Sequence, residues 1–309
     1  TDTDGSGGTN QLDALNVAAS TDAFVRGGSE TSDDILQVDN LSADIFADRI
    51  ETGTRENYQG QLDVNLAQSA GEVNVVTGSD DTSVTTRTGS TALVDINELT
   101  SGQLDLDGVG NATVTNARSI TIDGSNNLGF DPDSGPLSGT LNLTTVDGAD
   151  YVLRTGTNNT TVNSSSGSGD IDATELNNDL TLTLTGSSQT TVTSLEGDVA
   201  AAGSQGTLNV TTAASVSDND VTVTASQDDT TITGTTSGDT VTADAGAMGA
   251  TDRLTLDGDA DFVVTNAGSN LVVDADGDGN SATPLQGTLN VTTDNGATGV
   301  TVLTGVDDT

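Results

Sequence analysis

Cysteine, histidine, lysine and tryptophan are all absent from this chain of 309 residues, and proline occurs three times. Without cysteine, disulfides and thiolate metal sites are excluded. Without histidine no Ser-His-Asp relay can be assembled, and without His and Lys most general bases are gone. Two Tyr and four Phe are the whole aromatic complement, so the usual sugar-stacking platforms are missing. No stretch approaches the roughly 20 apolar residues of a membrane-spanning helix. Apolar residues make up 32% of the chain, against about 45–50% (Gly included) in ordinary globular domains. A thick spherical core does not fit that composition.

What is present is acid. The net charge is −40, all seven basic residues are Arg, and 47 acidic residues less seven Glu leave 40 Asp. Asp belongs in turns and in oxygen-rich cation sites, whereas Glu favours helices. A surface of this kind repels nucleic acid and anionic lipid and attracts divalent cations. Low hydrophobicity with high charge is also the signature of disorder. Pattern argues the other way, because β-branched residues alternate in short runs such as VTVTAS (221–226) and LTLTLTG (180–186).

The chain repeats itself. QGTLNVTT stands at 205–212 and again at 286–293, and SGTLNLTT at 138–145. The opening phrase starts on Leu62, Leu141, Leu208 and Leu289. A second phrase follows each: VNVVTGSDDTSVTT (73–86), YVLRTGTNNTTVN (151–163), VTVTASQDDTTITG (221–234) and VTVLTGVDDT (300–309). A third appears as LDLDGVGNATVTNA (104–117), LTLTGSSQTTVTS (182–194) and LTLDGDADFVVTNA (254–267), the first and last matching at an offset of 150. Self-similarity at a fixed period marks a repeat architecture, and the period here is about 75 residues. The superrepeats cover 60–138, 139–205, 206–286 and 287–309, the last truncated. That truncation predicts that the chain belongs to something longer.

Strands of four to six residues return about every ten, separated by Gly, Asp, Asn and Ser, which is an all-β pattern. Aliphatics alternate with Thr or Asn, so one set faces inward and the polar set outward. The expected fold is a parallel β-solenoid (β-helix or β-roll), whose narrow core of stacked Val, Ile and Leu suits the composition. The alternative is a row of tandem β-sandwich domains, which would want larger core residues. Two strands per coil and about 20 residues per coil predict about 15 coils rising roughly 4.8 Å each, or about 70 Å. Three-strand coils would shorten this. Residues 1–59 diverge and read as a cap or subunit-contact region. Within them, Ile45, Phe46, Ala47 and Ile50 have helical spacing and read as a loop or short helix.

The text TGSDDTSV (77–84), TGTNNTTV (155–162) and SGDTVTA (237–243) resembles the Gly/Asp nonapeptides of RTX-type calcium-binding β-rolls. The surrounding GTLNVTT text is similar to bacterial surface-layer proteins and giant repeat adhesins. The resemblance covers residues 60–309 in style, and the full GGxGxDxUx nonapeptide is nowhere intact. It implies an extracellular or cell-surface location and a matrix, surface-layer or adhesive role.

Several acidic turns are candidate metal sites. In DADGDGNS (274–281), Asp274, Asp276 and Asp278 alternate and are followed by Asn280, placing hard oxygens on one tight turn as Ca²⁺ requires. The twelfth position is Leu285 rather than Glu, which excludes an EF-hand. The pairs Asp80/Asp81 and Asp228/Asp229 recur at equivalent turns and are candidates too, against the plain reading of turn chemistry. Asn142, Asn209 and Asn290 each precede Thr by two, the N-glycosylation sequon, although such triplets arise by chance in a chain rich in Asn and Thr. Together these features predict a non-enzymatic, self-associating structural protein of a filament, surface layer or matrix, with Ca²⁺ as counterion. The alternative is the stalk of a cell-surface adhesin, whose partner would be a surface glycan. A polysaccharide-active β-helix enzyme is the weakest reading, since its carboxylates would lack basic and aromatic company.

Overall fold

A computed structural model describes residues 11–12, 23–24, 35–47, 50–51, 54–55, 58–100, 102–125, 135–214, 220–276 and 284–305. The chain divides into two units, Thr1–Thr160 and Thr161–Thr309. Each is a parallel β-solenoid with two strands per coil. Among the described residues there is no helix.

In the first unit successive strands alternate between two sheets. One, here the Leu62 sheet, runs Gln11–Leu12, Ile35–Leu41, Gln61–Leu66, Thr82–Thr86, Gln103–Gly108, Thr121–Asp123, Ala149–Arg154. The other, the Leu141 sheet, runs Ala23–Phe24, Ile45–Phe46, Gly71–Val76, Ser90–Asp95, Asn111–Ala117, Leu141–Thr145. In the second unit the Leu208 sheet runs Gly167–Asp172, Gln189–Leu195, Leu208–Thr212, Thr230–Gly234, Arg253–Gly258, Val272–Asp274, Thr301–Leu303. Its partner, the Leu289 sheet, runs Thr181–Gly186, Asp198–Ser204, Val221–Thr224, Thr240–Asp244, Asp261–Ala267, Leu289–Thr293. Typical coils are close to the expected length, as the pairing of Thr82 with Leu104 and of Val221 with Val241 shows.

The core follows from alternation. In the first unit Val38, Val64, Val84 and Leu106 stack in register and are buried, as are Val75, Val94, Val114 and Leu143 facing from the other sheet. In the second unit the rows are Val192, Val210, Ile232, Leu256 and Val221, Val241, Phe262, Leu289. Each such side chain contributes about 1.5–3 kcal/mol on burial. A parallel ladder satisfies its backbone groups from the strands one coil before and one coil after.

The repeated phrases do not stay on one sheet. In the first unit Gln61–Leu66 and Leu141–Thr145 carry the same text and lie in opposite sheets, seven strands apart. In the second unit Leu208–Thr212 and Leu289–Thr293 are again seven strands apart and in opposite sheets. A superrepeat is therefore three and a half coils. Because seven is odd, one superrepeat exchanges the sheets and two restore them. This accounts for the close match at offset 150 between 104–117 and 254–267: Gln103–Gly108 lies in the Leu62 sheet and Arg253–Gly258 in the Leu208 sheet, so each stands in the same relation to the opening phrase of its own unit.

Two backbone devices recur with the phrases. The strand paired before each opening phrase has a register shift, between Val38 and Leu41, Val114 and Ala117, Val192 and Leu195, and Val264 and Ala267. Inside each shift a residue sits in the left-handed region: Asn40, Asn116, Ser194 and Asn266, with φ of 57, 60, 57 and 56°. Asn tolerates that region better than most residues. Asn116 and Asn266 each donate an amide N–H to an Asp one coil earlier, Asp95 and Asp244, at 2.9 Å. The corresponding text (VDNL, VTNA, VTSL, VTNA) extends the repeat back to Ile35. The second device is the Gly closing the first strand of the third phrase. Gly108 and Gly258 have φ of +89 and +94°, and a Cβ there would lie 2.1 and 2.2 Å from the carbonyl oxygens of Thr86 and Gly234.

One expectation is corrected. Residues 42–58 hold no helix among their described positions: Ile45–Phe46 is a strand paired with Val75–Val76, and Ile50–Glu51 pairs antiparallel with Thr54–Arg55. Ile45 and Ala47 are buried with Phe46 less so, a period of two that the apolar run concealed.

Two changes test this packing. Leu256→Ala should cost about 2–5 kcal/mol in denaturant unfolding, as large-to-small changes in a close-packed row do. Gly258→Ala should cost about 2–3 kcal/mol, since it adds backbone strain to a carbonyl clash. A Gly258→Ala protein as stable as its parent would contradict the coil-to-coil approach described.

Candidate cation-binding turns

The second phrase makes the same turn in each of three copies. Asp80 Oδ1 accepts the Asp81 N–H at 2.9 Å, Asn158 Oδ1 that of Asn159 at 2.7 Å, and Asp228 Oδ1 that of Asp229 at 2.8 Å. The following Thr82, Thr160 and Thr230 are buried, where a bare hydroxyl would be costly. Each donates its Oγ1–H back to the carbonyl of Asp80, Asn158 or Asp228, at 3.3, 3.4 and 3.4 Å. The second acid reaches the next coil: Asp81 Oδ1 accepts the Gln103 N–H at 2.9 Å and Asp229 Oδ1 the Arg253 N–H at 2.7 Å. These carboxylates both close a turn and tie one coil to its neighbour.

In the second unit Asp252 joins the pair. Carboxylate oxygens of Asp228, Asp229 and Asp252 lie within 4.8 Å of one another, a spacing one cation can bridge. Asp252 Oδ2 also accepts the Gly249 N–H at 2.6 Å. In the first unit the residue before Gln103, matching Asp252 before Arg253, is Gly102, so that copy lacks the third carboxylate. Asp252 is absent from the sequence-level candidates because it comes from the next coil, far from Asp229 along the chain.

The DADGDGNS loop is described only in part. Asp278 and Asn280 lie outside the described residues. Asp274 is fully buried, and its Oδ2 accepts a hydrogen bond from Arg253 Nη1 at 2.5 Å. Its Oδ1 accepts the Asp276 N–H at 3.3 Å, and the two carboxyl groups share a hydrogen bond. Asp123 has the same environment in the first unit: it is buried, bonded to Arg154 Nη1 at 3.0 Å, and accepts both the N–H and Oγ–H of Ser125. The Arg comes from the following strand at Asp123 and from the preceding one at Asp274. Two of the seven Arg side chains are thus spent on buried carboxylates. Close by, Leu137 N–H donates to Gly124 O and Leu285 N–H to Ala275 O, at 2.9 and 3.0 Å. Asp123 carried no signal of its own; the scarcity of Arg and the offset between IDG and VDA were the available clues.

Burial pushes the Asp81 carboxyl above its ordinary value, and the nearby Asp80 adds to this, while the Gln103 N–H pulls the other way. Burial likewise raises Asp274, helped by the hydrogen bond with Asp276 and opposed by Arg253. Both groups are raised acids, so the folded chain holds their protons more tightly than the unfolded chain. Their charged forms cost stability at neutral pH, and the cost disappears as pH falls through the folded value toward the ordinary 3.8.

An open polar cleft of about 520 Å³ lies elsewhere in the first unit, lined by Gln37, Asp39, Asn40, Asn65, Gln68 and Arg87. Asn65 Nδ2 donates to Asp39 Oδ1 across it at 3.0 Å. No family model, curated protein or solved structure matches this chain.

Asp81→Asn should melt at or above the parent's temperature at pH 7, since the amide oxygen can still accept from Gln103, and the difference should shrink toward pH 4. Arg253→Met should cost about 1.5–3 kcal/mol at pH 7, the range for hydrogen bonds to charged groups. That loss should be smaller in acid, where Asp274 is protonated; an equal loss at both pH values would deny Arg253 its electrostatic role.

Proposed function

We propose that this chain is a structural repeat protein of the cell exterior, self-associating in a filament, surface layer or matrix and taking up Ca²⁺ at its acidic turns. The observation that supports this most directly is the use made of the turn carboxylates. Asp81 and Asp229 bind backbone N–H groups of the next coil, which is work of cohesion. The non-enzymatic part of the reading rests on composition, which supplies no His, Lys or Cys for proton transfer or nucleophilic attack.

Calcium enters through charge and geometry. A net charge of −40 imposes self-repulsion on any compact state, and Asp228, Asp229 and Asp252 offer oxygens close enough to share an ion. Ca²⁺ at about 100 times its dissociation constant would add about 2.7 kcal/mol to stability. A second reading, the stalk of an adhesin, draws on the polar cleft about Asp39 and Arg87, whose planar amide, carboxylate and guanidinium groups suit the hydroxyls of a surface glycan.

Electron microscopy and thermal melts in Ca²⁺ and in chelator test the proposal. Ordered assemblies that disperse with chelator, and a higher melting temperature in Ca²⁺, are expected. Dispersed particles with identical melts in both conditions would sink it. Asp252→Asn should reduce the Ca²⁺-dependent rise without lowering the melt in chelator.

A further inference from the structure

We propose that Asn142, Asn209 and Asn290 carry N-linked glycans. Each opens an Asn-x-Thr triplet (Asn142-Leu143-Thr144, Asn209-Val210-Thr211, Asn290-Val291-Thr292), the acceptor motif for this modification. The strand geometry presents these triplets to solvent, as it does Asn111-Ala112-Thr113 and Asn163-Ser164-Ser165, and the three are set apart by recurring at one position of the repeated phrase. With a side-chain period of two, Asn and the hydroxyl residue two places on face outward together while the residue between them faces the core. Asn142, Asn209 and Asn290 are exposed, and the intervening Leu143 and Val210 are buried.

These amides also have no work within the fold. None of the three makes a side-chain hydrogen bond to another described residue, whereas several other Asn side chains are committed. Asn116 and Asn266 hold Asp95 and Asp244, and Asn158 Nδ2 donates to the Ser138 carbonyl at 2.9 Å. The contrast is sharpest within the opening phrase itself. Its first copy reads Asn65-Leu66-Ala67, without the hydroxyl, and there the Asn amide is bonded to Asp39 at 3.0 Å. Where the phrase uses its Asn internally the acceptor triplet is missing; where the Asn is free the triplet is intact.

The donor is a lipid-linked glycosyl diphosphate acted on by a membrane transferase. The amide nitrogen bonds to the sugar C1, the C1–O bond to diphosphate breaks, the lipid diphosphate leaves with that electron pair, and the nitrogen gives up one proton to the transferase. Because one superrepeat exchanges the sheets, Asn209 and Asn290 lie on opposite sheets of the second unit. Glycans there would hydrate both faces and keep either from packing face to face with another sheet.

This inference rests on the exported location, and its test separates the two. The full chain is isolated from surface and internal fractions of its own host, and its peptides are weighed before and after enzymatic or chemical deglycosylation. Surface material with sugar mass on the Asn142, Asn209 and Asn290 peptides, and none on Asn158, is expected. Thr144→Ala, Thr211→Ala and Thr292→Ala should each remove that mass from their own Asn alone, with circular dichroism unchanged. Surface material bare at all three positions overturns the glycan proposal and leaves the location standing, as would sugar on Asn158 with the three bare. Chain found only inside and unmodified overturns both.

Discussion

Parallel backbone pairing between residues one coil apart is the interaction on which everything else in this protein depends. With a third of its residues apolar and almost no aromatics, the chain cannot gather its core around a few large side chains. It stacks small ones in rows, and each row exists only because the backbone of the next coil is held in register. Gly108 and Gly258 permit the carbonyl-to-backbone approach, and Asp81 and Asp229 supply acceptors where the ladder gives way to a turn. The repeated Thr of the second phrase, which looks like ordinary strand composition, enters the core and returns its hydroxyl to the turn.

Charge is arranged around the same constraint. A chain with 40 more acids than bases must place some carboxylates against its own backbone, and Asp80, Asp81, Asp228 and Asp229 stand where donors are already aligned, at tight turns and strand starts. Among the described residues four carboxylates, Asp105, Asp107, Asp123 and Asp274, are buried outright on the sheets, and Asp123 and Asp274 each receive one of the few Arg side chains. Breaking such a pair strands a charge, so these are the points at which charge and packing are least separable. Asp81 and Asp274 are raised by burial, which the backbone N–H donors and, at Asp274, Arg253 only partly offset.

Much of the architecture was legible in the letters. Alternation in TLNVTT and VTVTAS assigned the inward and outward sets, and the spacing of Leu62, Leu141, Leu208 and Leu289 revealed the superrepeat. The turn role of Asp80/Asp81 and Asp228/Asp229 was legible as chemistry. Their reach to Gln103 and Arg253 was not, because acceptor and donor are separated by a full coil of chain. Ile45 to Ile50 misled because consecutive apolar residues satisfy a helical spacing and a strand alternation equally over so short a stretch.

The sequence by itself determined the strands, their inward faces, the turn residues and the period, since each follows from local alternation and local backbone preference. Only the tertiary structure decided which sheet each copy of a phrase occupies. That choice depends on the parity of the strand count, and a piece as brief as Thr121–Asp123 counts as a full strand once the neighbouring coil pairs with it. The meeting of Asp252 with Asp228 and Asp229, and the burial of Asp123 and Asp274, belong to the structure for the same reason: they are made by residues a coil apart, and local letters hold no record of that distance.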